Sequence, residues 1–346
     1  MFEMNAWFHM NSSTQPPDFL QGVISPMLTP VLPDARMSLD YPGAAEYVKW
    51  LISRGCVRSV FARSGMGKMY SFTLMETKML CADVIKAAHG KLGVMIGCGG
   101  EWLERRTDPT LKPNPRRYLA QAIELTQYAG SMGADAAVHV LPEAFSPDPG
   151  ESIPDAIFRY LKTIHDVTEI PIVLYQTPGL EPAYRMTPEL LRRVRTLPRV
   201  VGMKISTHDP ALFSPLAEIV RGTNFALICG DETYYLKGLQ QGAVGVIGEG
   251  CSVYPEILHR IRTAYLSGDT AAAEAAQQDV YRALALKTKH EKLDGNMLWK
   301  QIMILNGVRI QPCDRDEVHS YPPATIRSVD ADLSALLAPY RAGHTA

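Results

Sequence analysis

Pro171-Ile-Val-Leu-Tyr175 and Val200-Val-Gly-Met-Lys204 are short apolar runs of strand length, each ending on a polar side chain and each leading into a segment of helical spacing. Working outward, the same unit recurs. Gly22 to Thr29 precedes a segment where Ala44, Ala45, Val48, Leu51 and Ile52 repeat every three to four residues, and Gly55 ends it. Val57 to Ala62 leads into a helix over 73–88, Gly93 to Cys98 into 116–132, and Asp135 to Leu141 into 153–167. Phe225 to Cys229 and Val244 to Ile247 complete the set, with the last helical pattern ending near residue 268. Eight strand-helix units in about 250 residues predict an α/β chain folded as a (β/α)8 TIM barrel rather than a doubly wound open sheet.

The flanks read differently. Residues 1–20 form a polar arm before a barrel over 21–268, and 269–346 form a helical appendage in which Thr270 to Lys289 and Asn296 to Leu305 read as helices with no strand between them. The segment from Gly99 to Arg117 is an unusually long loop, closed by Pro-Asn-Pro at 113–115.

The 346 residues carry 35 basic and 36 acidic side chains, a formal net charge of −1, which gives no electrostatic reason to expect nucleic acid or an anionic membrane. Six cysteines without a CxxC pair fit a reduced compartment, and the opening segment lacks a basic start followed by a long apolar run. The expectation is a soluble, cytoplasmic protein. Nine histidines show no HxH or HExxH spacing, and Gly97-Cys-Gly-Gly-Glu-Trp fails the dinucleotide-loop spacing, so neither a metal nor any cofactor is expected.

Active sites of such barrels lie at the C-terminal ends of the strands. Tyr175 and Lys204 end successive strands, which run ~4.8 Å apart, so both side chains can meet one substrate. A lysine amine at an apolar strand end can attack a ketone, and the iminium that forms is an electron sink. A tyrosine beside it can pass protons. Taken singly, a strand-end lysine is better explained by a side chain that extends its ammonium to solvent.

Tyr175-Gln-Thr-Pro and Val201-Gly-Met-Lys204 resemble the YNxP and (V/I)GxK segments of the dihydrodipicolinate synthase/N-acetylneuraminate lyase family. The resemblance runs over roughly residues 20 to 310 and includes Ser25-Pro-Met-Leu-Thr-Pro30, Gly133-Ala-Asp135, Gly230-Asp231 and Gly242-Ala-Val-Gly-Val-Ile247. It implies a class I, Schiff-base-forming lyase acting on a pyruvate-type 2-keto acid and an aldehyde. Lys204 would form the Schiff base, Tyr175 would assist, Ile247 would line the site and the assembly would be a homotetramer.

The chain also departs from that pattern. The carboxylate-binding turn, usually GTTGE or GSTGE, is Ser64-Gly65-Met66-Gly67-Lys68, which loses a hydroxyl at 65 and an acid at 68 but keeps backbone N–H groups able to cradle a carboxylate. Pro142-Glu-Ala-Phe145 replaces a Pro-Tyr-Tyr segment, and Gly179-Leu180 stands where the synthases carry an arginine, with Arg185 five residues on. Asp231-Glu232 looks like the acidic pair with which the lyases hold a polyhydroxylated substrate. Glu249 at the same rim either joins them or favours a helix dipole.

The loop with Glu101, Trp102, Arg105, Arg106, Arg116 and Arg117 reads as a solvated charged segment, or as a cationic and aromatic surface for an acidic substrate. These features together favour a Schiff-base lyase or aldolase that makes or breaks a bond next to a pyruvate unit, with the acceptor left open and dehydration of a 2-keto-deoxy sugar acid as a close variant. The alternatives are a synthase joining pyruvate to aspartate semialdehyde and a keto-acid-binding sensor without turnover.

Overall fold

Eight parallel strands, β1 (Gly22–Pro26), β2 (Val57–Ala62), β3 (Gly93–Gly97), β4 (Ala136–Val140), β5 (Ile172–Gln176), β6 (Val200–Ile205), β7 (Ala226–Cys229) and β8 (Gly245–Val246), pair in chain order, and β8 returns to β1 to close the barrel. The computed structural model describes residues 15–289, 293–315, 317–318 and 320–341. The predicted (β/α)8 TIM barrel is the observed fold.

Closure follows from the side-chain pattern. Strands buried on both faces need apolar residues throughout, and successive residues serve two different cores. On β5 and β6, Val173 and Tyr175 belong to the cluster inside the barrel, whereas Leu174, Met203 and Ile205 pack outward. The outer cluster is capped by α1 (Tyr41–Ser53), α2 (Leu74–Ala88), α3 (Pro115–Met132), α4 (Ile153–Val167), α5 (Pro188–Val194), α6 (Pro210–Val220), α7 (Tyr235–Gln241) and α8 (Pro255–Leu266). Starts are set by caps: Thr73 accepts from Glu76 N while the Glu76 carboxylate accepts from Thr73 N, a reciprocal box that opens α2.

The expected polar arm falls in two parts. Residues 1–14 lie outside the described residues, but Asp18–Leu20 form a 3-10 turn and Leu20 is buried in the inner cluster, at the floor of the barrel. The C-terminal region carries α9 (Thr270–Ala285), α10 (Gly295–Leu305), the small antiparallel hairpin β9 (Cys313–Asp314) and β10 (Glu317–Val318), and α11 (Pro323–Arg341). Helix α10 is buried from Met297 through Met303.

Candidate active site

Register fixes the central pair. Tyr175 on β5 is the Cα partner of Lys204 on β6, and both are nearly buried, at 4% and 5% exposure. Lys204 Nζ lies 4.2 Å from the centre of the Tyr175 ring. Among the described residues nothing accepts a hydrogen bond from Nζ, and the Tyr175 hydroxyl has no hydrogen-bond partner either, so both polar atoms are uncommitted. Phe61 meets the Tyr175 ring edge-on at 6.1 Å and holds its orientation.

The turn after β2 lies beside this pair. A Cβ at Gly65 would stand 3.1 Å from the Tyr175 hydroxyl, so the missing side chain is what gives that hydroxyl its space. Ser64 is buried; its Oγ donates to the Met27 carbonyl and accepts from Gly67 N. At Gly67 a Cβ would fall 2.5 Å from Thr29 Oγ1 and 2.6 Å from the Met27 carbonyl oxygen. Ser64 and Gly67 therefore shape the turn from below, and Met66 reaches the cleft. The N–H groups of Gly65 and Met66 have no acceptor among the described residues. Two adjacent free donors at the mouth of a buried lysine suit a carboxylate.

Arg63, just before the turn, is a structural neighbour of the site that the sequence pattern did not single out. Its backbone is left-handed (φ 52°). Its buried guanidinium donates to the carbonyls of Met69, Gly97, Gly99 and Gly100, tying the β2 turn to the loop after β3. Burial pulls its pKa down. An arginine between an apolar strand and a glycine-rich turn is the signal that could have exposed it.

Across the cleft the acidic pair divides. Asp231 Oδ1 accepts from the Thr233 amide and hydroxyl, capping a short 3-10 turn, and Oδ2 lies 3.2 Å from His208 Nδ1. Glu232 turns inward, where Oε1 accepts from the Tyr254 hydroxyl at 2.6 Å and the Gly250 amide at 3.1 Å. Burial, then the nearby Glu249 charge, push its pKa up to about 7. Glu249 itself is ion-paired with Lys287, so the C-terminal region reaches the rim.

Lys204, Tyr175, Met66, Asp231, Glu232 and Ile247 share one cleft of ≈ 540 Å³, with Glu249, Arg185 and Leu284 on its walls. The guanidinium of Arg185 has no carboxylate partner among the described residues. The loop after β3 stays outside this cleft. Trp102 is buried in it, Arg105 stacks on Trp102 and Tyr70 at 4.6 and 5.0 Å, and Arg105 pairs with buried Glu143 at 3.0 Å. Glu104, Arg106, Arg116 and Arg117 are exposed, as expected of a solvated charged segment, while Trp102 and Arg105 pack into the protein. Among the described residues no three His, Cys, Asp or Glu side chains are grouped to hold a metal, and no helix is long and apolar enough to cross a membrane.

Comparison with known proteins places this arrangement. Proteins named 4-hydroxy-tetrahydrodipicolinate synthase are 26% identical over 260 residues in Methanoculleus marisnigri (75% of this chain, 81% of that one) and 28% identical over 272 residues in Albidiferax ferrireducens (78% and 80%). Among solved structures, a prophage protein of the dihydrodipicolinic acid synthase family from E. coli K12, in complex with pyruvate, superposes with a TM-score of 0.74 at 22% identity, covering 91% of this chain and 98% of the other. N-acetylneuraminate lyase from Mycoplasma synoviae gives 0.73 at 19% identity, over 92% and 98%. The sequence model of the Dihydrodipicolinate synthetase family matches residues 19–316, and this chain, an enzyme of the class I lyase type, belongs to that family.

Proposed function

We propose that the enzyme makes or breaks a carbon–carbon bond, or eliminates water, next to a pyruvate unit held as a Schiff base on Lys204, and that its substrate is a hydroxylated 2-keto acid. The observation that carries the reading is the uncommitted Lys204 amine stacked on Tyr175 beside the free N–H groups of Gly65 and Met66.

In the cleavage direction the keto-acid carboxylate accepts from those two amides, which aims the ketone at Nζ. The amine adds to C2, the carbinolamine loses water, and an iminium remains. Tyr175 relays protons to and from the carbinolamine oxygen and takes the proton from the C4 hydroxyl. As the C3–C4 bond breaks, its electron pair enters the iminium to give an enamine, and C4 leaves as an aldehyde. Protonation at C3 and hydrolysis then release pyruvate and free Lys204. The acceptors at Asp231 and Glu249 lie on the wall that the hydroxylated half would meet, with Glu232 turned inward beneath them. The protein works without a cofactor on this reading, as a homotetramer in the cytoplasm.

The synthase reading keeps one specific support, since the unpaired Arg185 sits in the cleft wall where it could meet the carboxylate of aspartate semialdehyde. A borohydride trap distinguishes whether the chemistry exists at all. With pyruvate, one reduced pyruvate adduct is expected on the peptide containing Lys204, none in Lys204→Ala, and turnover on the preferred substrate should fall ~10²–10⁴-fold in Tyr175→Phe. Labelling elsewhere, or none, sinks the mechanism.

A further inference from the structure

The turn that receives the carboxylate has little of its own to hold it. Glycines at 65 and 67 widen the accessible backbone conformations, and apart from Ser64 Oγ the bonds within it are Lys68 N to Gly65 O and Met69 N to Ser64 O. Yet the two free N–H groups must point the same way to grip a carboxylate. One peptide unit, Met66–Gly67, directly follows the unit that carries the Met66 N–H, and it is clamped at both ends: its N–H donates to Ser64 Oγ, and its carbonyl accepts from Asn296 Nδ2 at 3.0 Å. A planar peptide held at both ends cannot rotate, so the Met66 Cα is anchored and the unit that carries the Met66 N–H is pinned at one end.

Asn296 stands in the first turn of α10, 230 residues along the chain, and is itself fixed. Its Nδ2 lies 3.4 Å from Asp314 Oδ2 on β9, and Asp314 Oδ1 accepts from Lys300, one helical turn after Asn296. Lys300 is fully buried. Its three protons go to the Thr29 carbonyl (2.9 Å), the Cys313 carbonyl (2.7 Å) and Asp314, which satisfies every donor it has. Thr29 flanks Gly67, so the same ammonium braces the turn from below as well. A buried ion pair of this kind adds little stability over an apolar replacement, which leaves its placement under the turn to be accounted for.

We infer that Asn296, locked by Asp314 and Lys300, is a positioning residue for the 64–68 turn, through which the C-terminal segment sets the enzyme's affinity for the keto-acid carboxylate. The inference rests on the carboxylate-cradle reading of that turn. Lys204 and Tyr175 come from the barrel alone and need no such brace, so the effect falls on carboxylate recognition rather than on amine chemistry.

The test uses the full-length enzyme and two ketones, pyruvate and hydroxyacetone, which differ by the carboxylate. Borohydride trapping at Lys204 is titrated for wild type, Asn296→Ala and Asp314→Asn. In Asn296→Ala the pyruvate concentration for half-trapping should rise about tenfold or more, the effect of a misaligned hydrogen bond to a charged group. Hydroxyacetone should stay within about twofold, and Asp314→Asn should shift pyruvate alone in the same direction. Asn296 is half-buried at a helix start, and Asn296→Leu, which keeps the volume, gives a second reading should the alanine variant unfold. Equal weakening of both ketones, or no change in either, overturns the positioning role. Absence of any Lys204 adduct in wild type would instead bring down the proposed function and leave the brace a purely structural feature.

Discussion

Glu232 is the residue whose environment differs most from what adjacency to Asp231 implies. Two neighbouring acids read as two acceptors for hydroxyls, but the fold buries one beneath Tyr254 and Gly250 and leaves the other at the rim. Strand-end residues such as Lys204 and Tyr175 were legible because their placement follows from position within one element. The environment of Glu232 was not, because Glu249 and Tyr254 come from beyond the next strand. With its folded pKa near 7 against an ordinary 4.5, the Glu232 carboxyl binds its proton more tightly in the folded than in the unfolded chain. Its contribution to stability is therefore fully present below pH 4.5 and is lost as pH rises through about 7. Glu232→Gln, which mimics the protonated form, should match wild type in thermal stability near pH 5 and exceed it at pH 8. A stability difference that does not vary over that range would show that Glu232 is ionised throughout.

At the scale of elements, the alternation of period-2 runs and helical spacing located all eight strands and the helices between them, since each signal is local and repeated. Conformations set by distant partners were hidden. The loop between β3 and α3 carries many charges, which suggested solvation. Glu104, Arg106, Arg116 and Arg117 are indeed exposed, but Trp102 is buried, its Nε1 donates to the Leu111 carbonyl at 2.7 Å, and Arg105 and Lys112 lie over its ring at 4.6 and 4.7 Å. Arg105 then pairs with Glu143 after β4, and Lys112 with Glu181 after β5 at 3.1 Å. One aromatic residue thus joins three consecutive loops at the catalytic end of the barrel, through pairs separated by 38 and 69 positions that no window of sequence contains. Trp102→Ala should cost ~3–5 kcal/mol in urea unfolding, the range for removing a buried aromatic. A loss under about 1 kcal/mol would mean that the loop repacks without it.

At the scale of the whole molecule, the cleft around the lysine is walled by the full ring of loops and by the C-terminal region. Leu284 and Lys287 come from beyond the barrel and complete the rim. Helix α11 falls within the helical region expected over 269–346, and its buried Ile326, Val329, Leu333 and Leu337 recur every three to four residues. The synthases that the sequence resembles use a hydroxyl in the β2 turn, a tyrosine after β4 and an arginine after β5 to seat aspartate semialdehyde and move protons. Here the turn has Gly65, and the β4 loop sends Phe145 into the core, where it packs on Tyr160 with ring centres 5.3 Å apart. Neither site offers a hydroxyl, and Arg185 is the one group of the three with a candidate replacement in the cleft wall. Two lost contacts at ~1.5–2 kcal/mol each amount to about two to three decades in rate. The enzyme should therefore condense pyruvate with aspartate semialdehyde at a kcat/KM ~10²–10³-fold below an ordinary synthase, measured by coupling to the downstream reductase. Arg185→Ala should lower that residual rate further if the arginine holds the semialdehyde carboxylate, and leave it unchanged if it does not. A rate equal to that of a synthase would mean that proton transfer runs from Tyr175 through water alone, and that the deep hydroxylated-substrate reading of the Asp231 wall is the wrong half of the proposal.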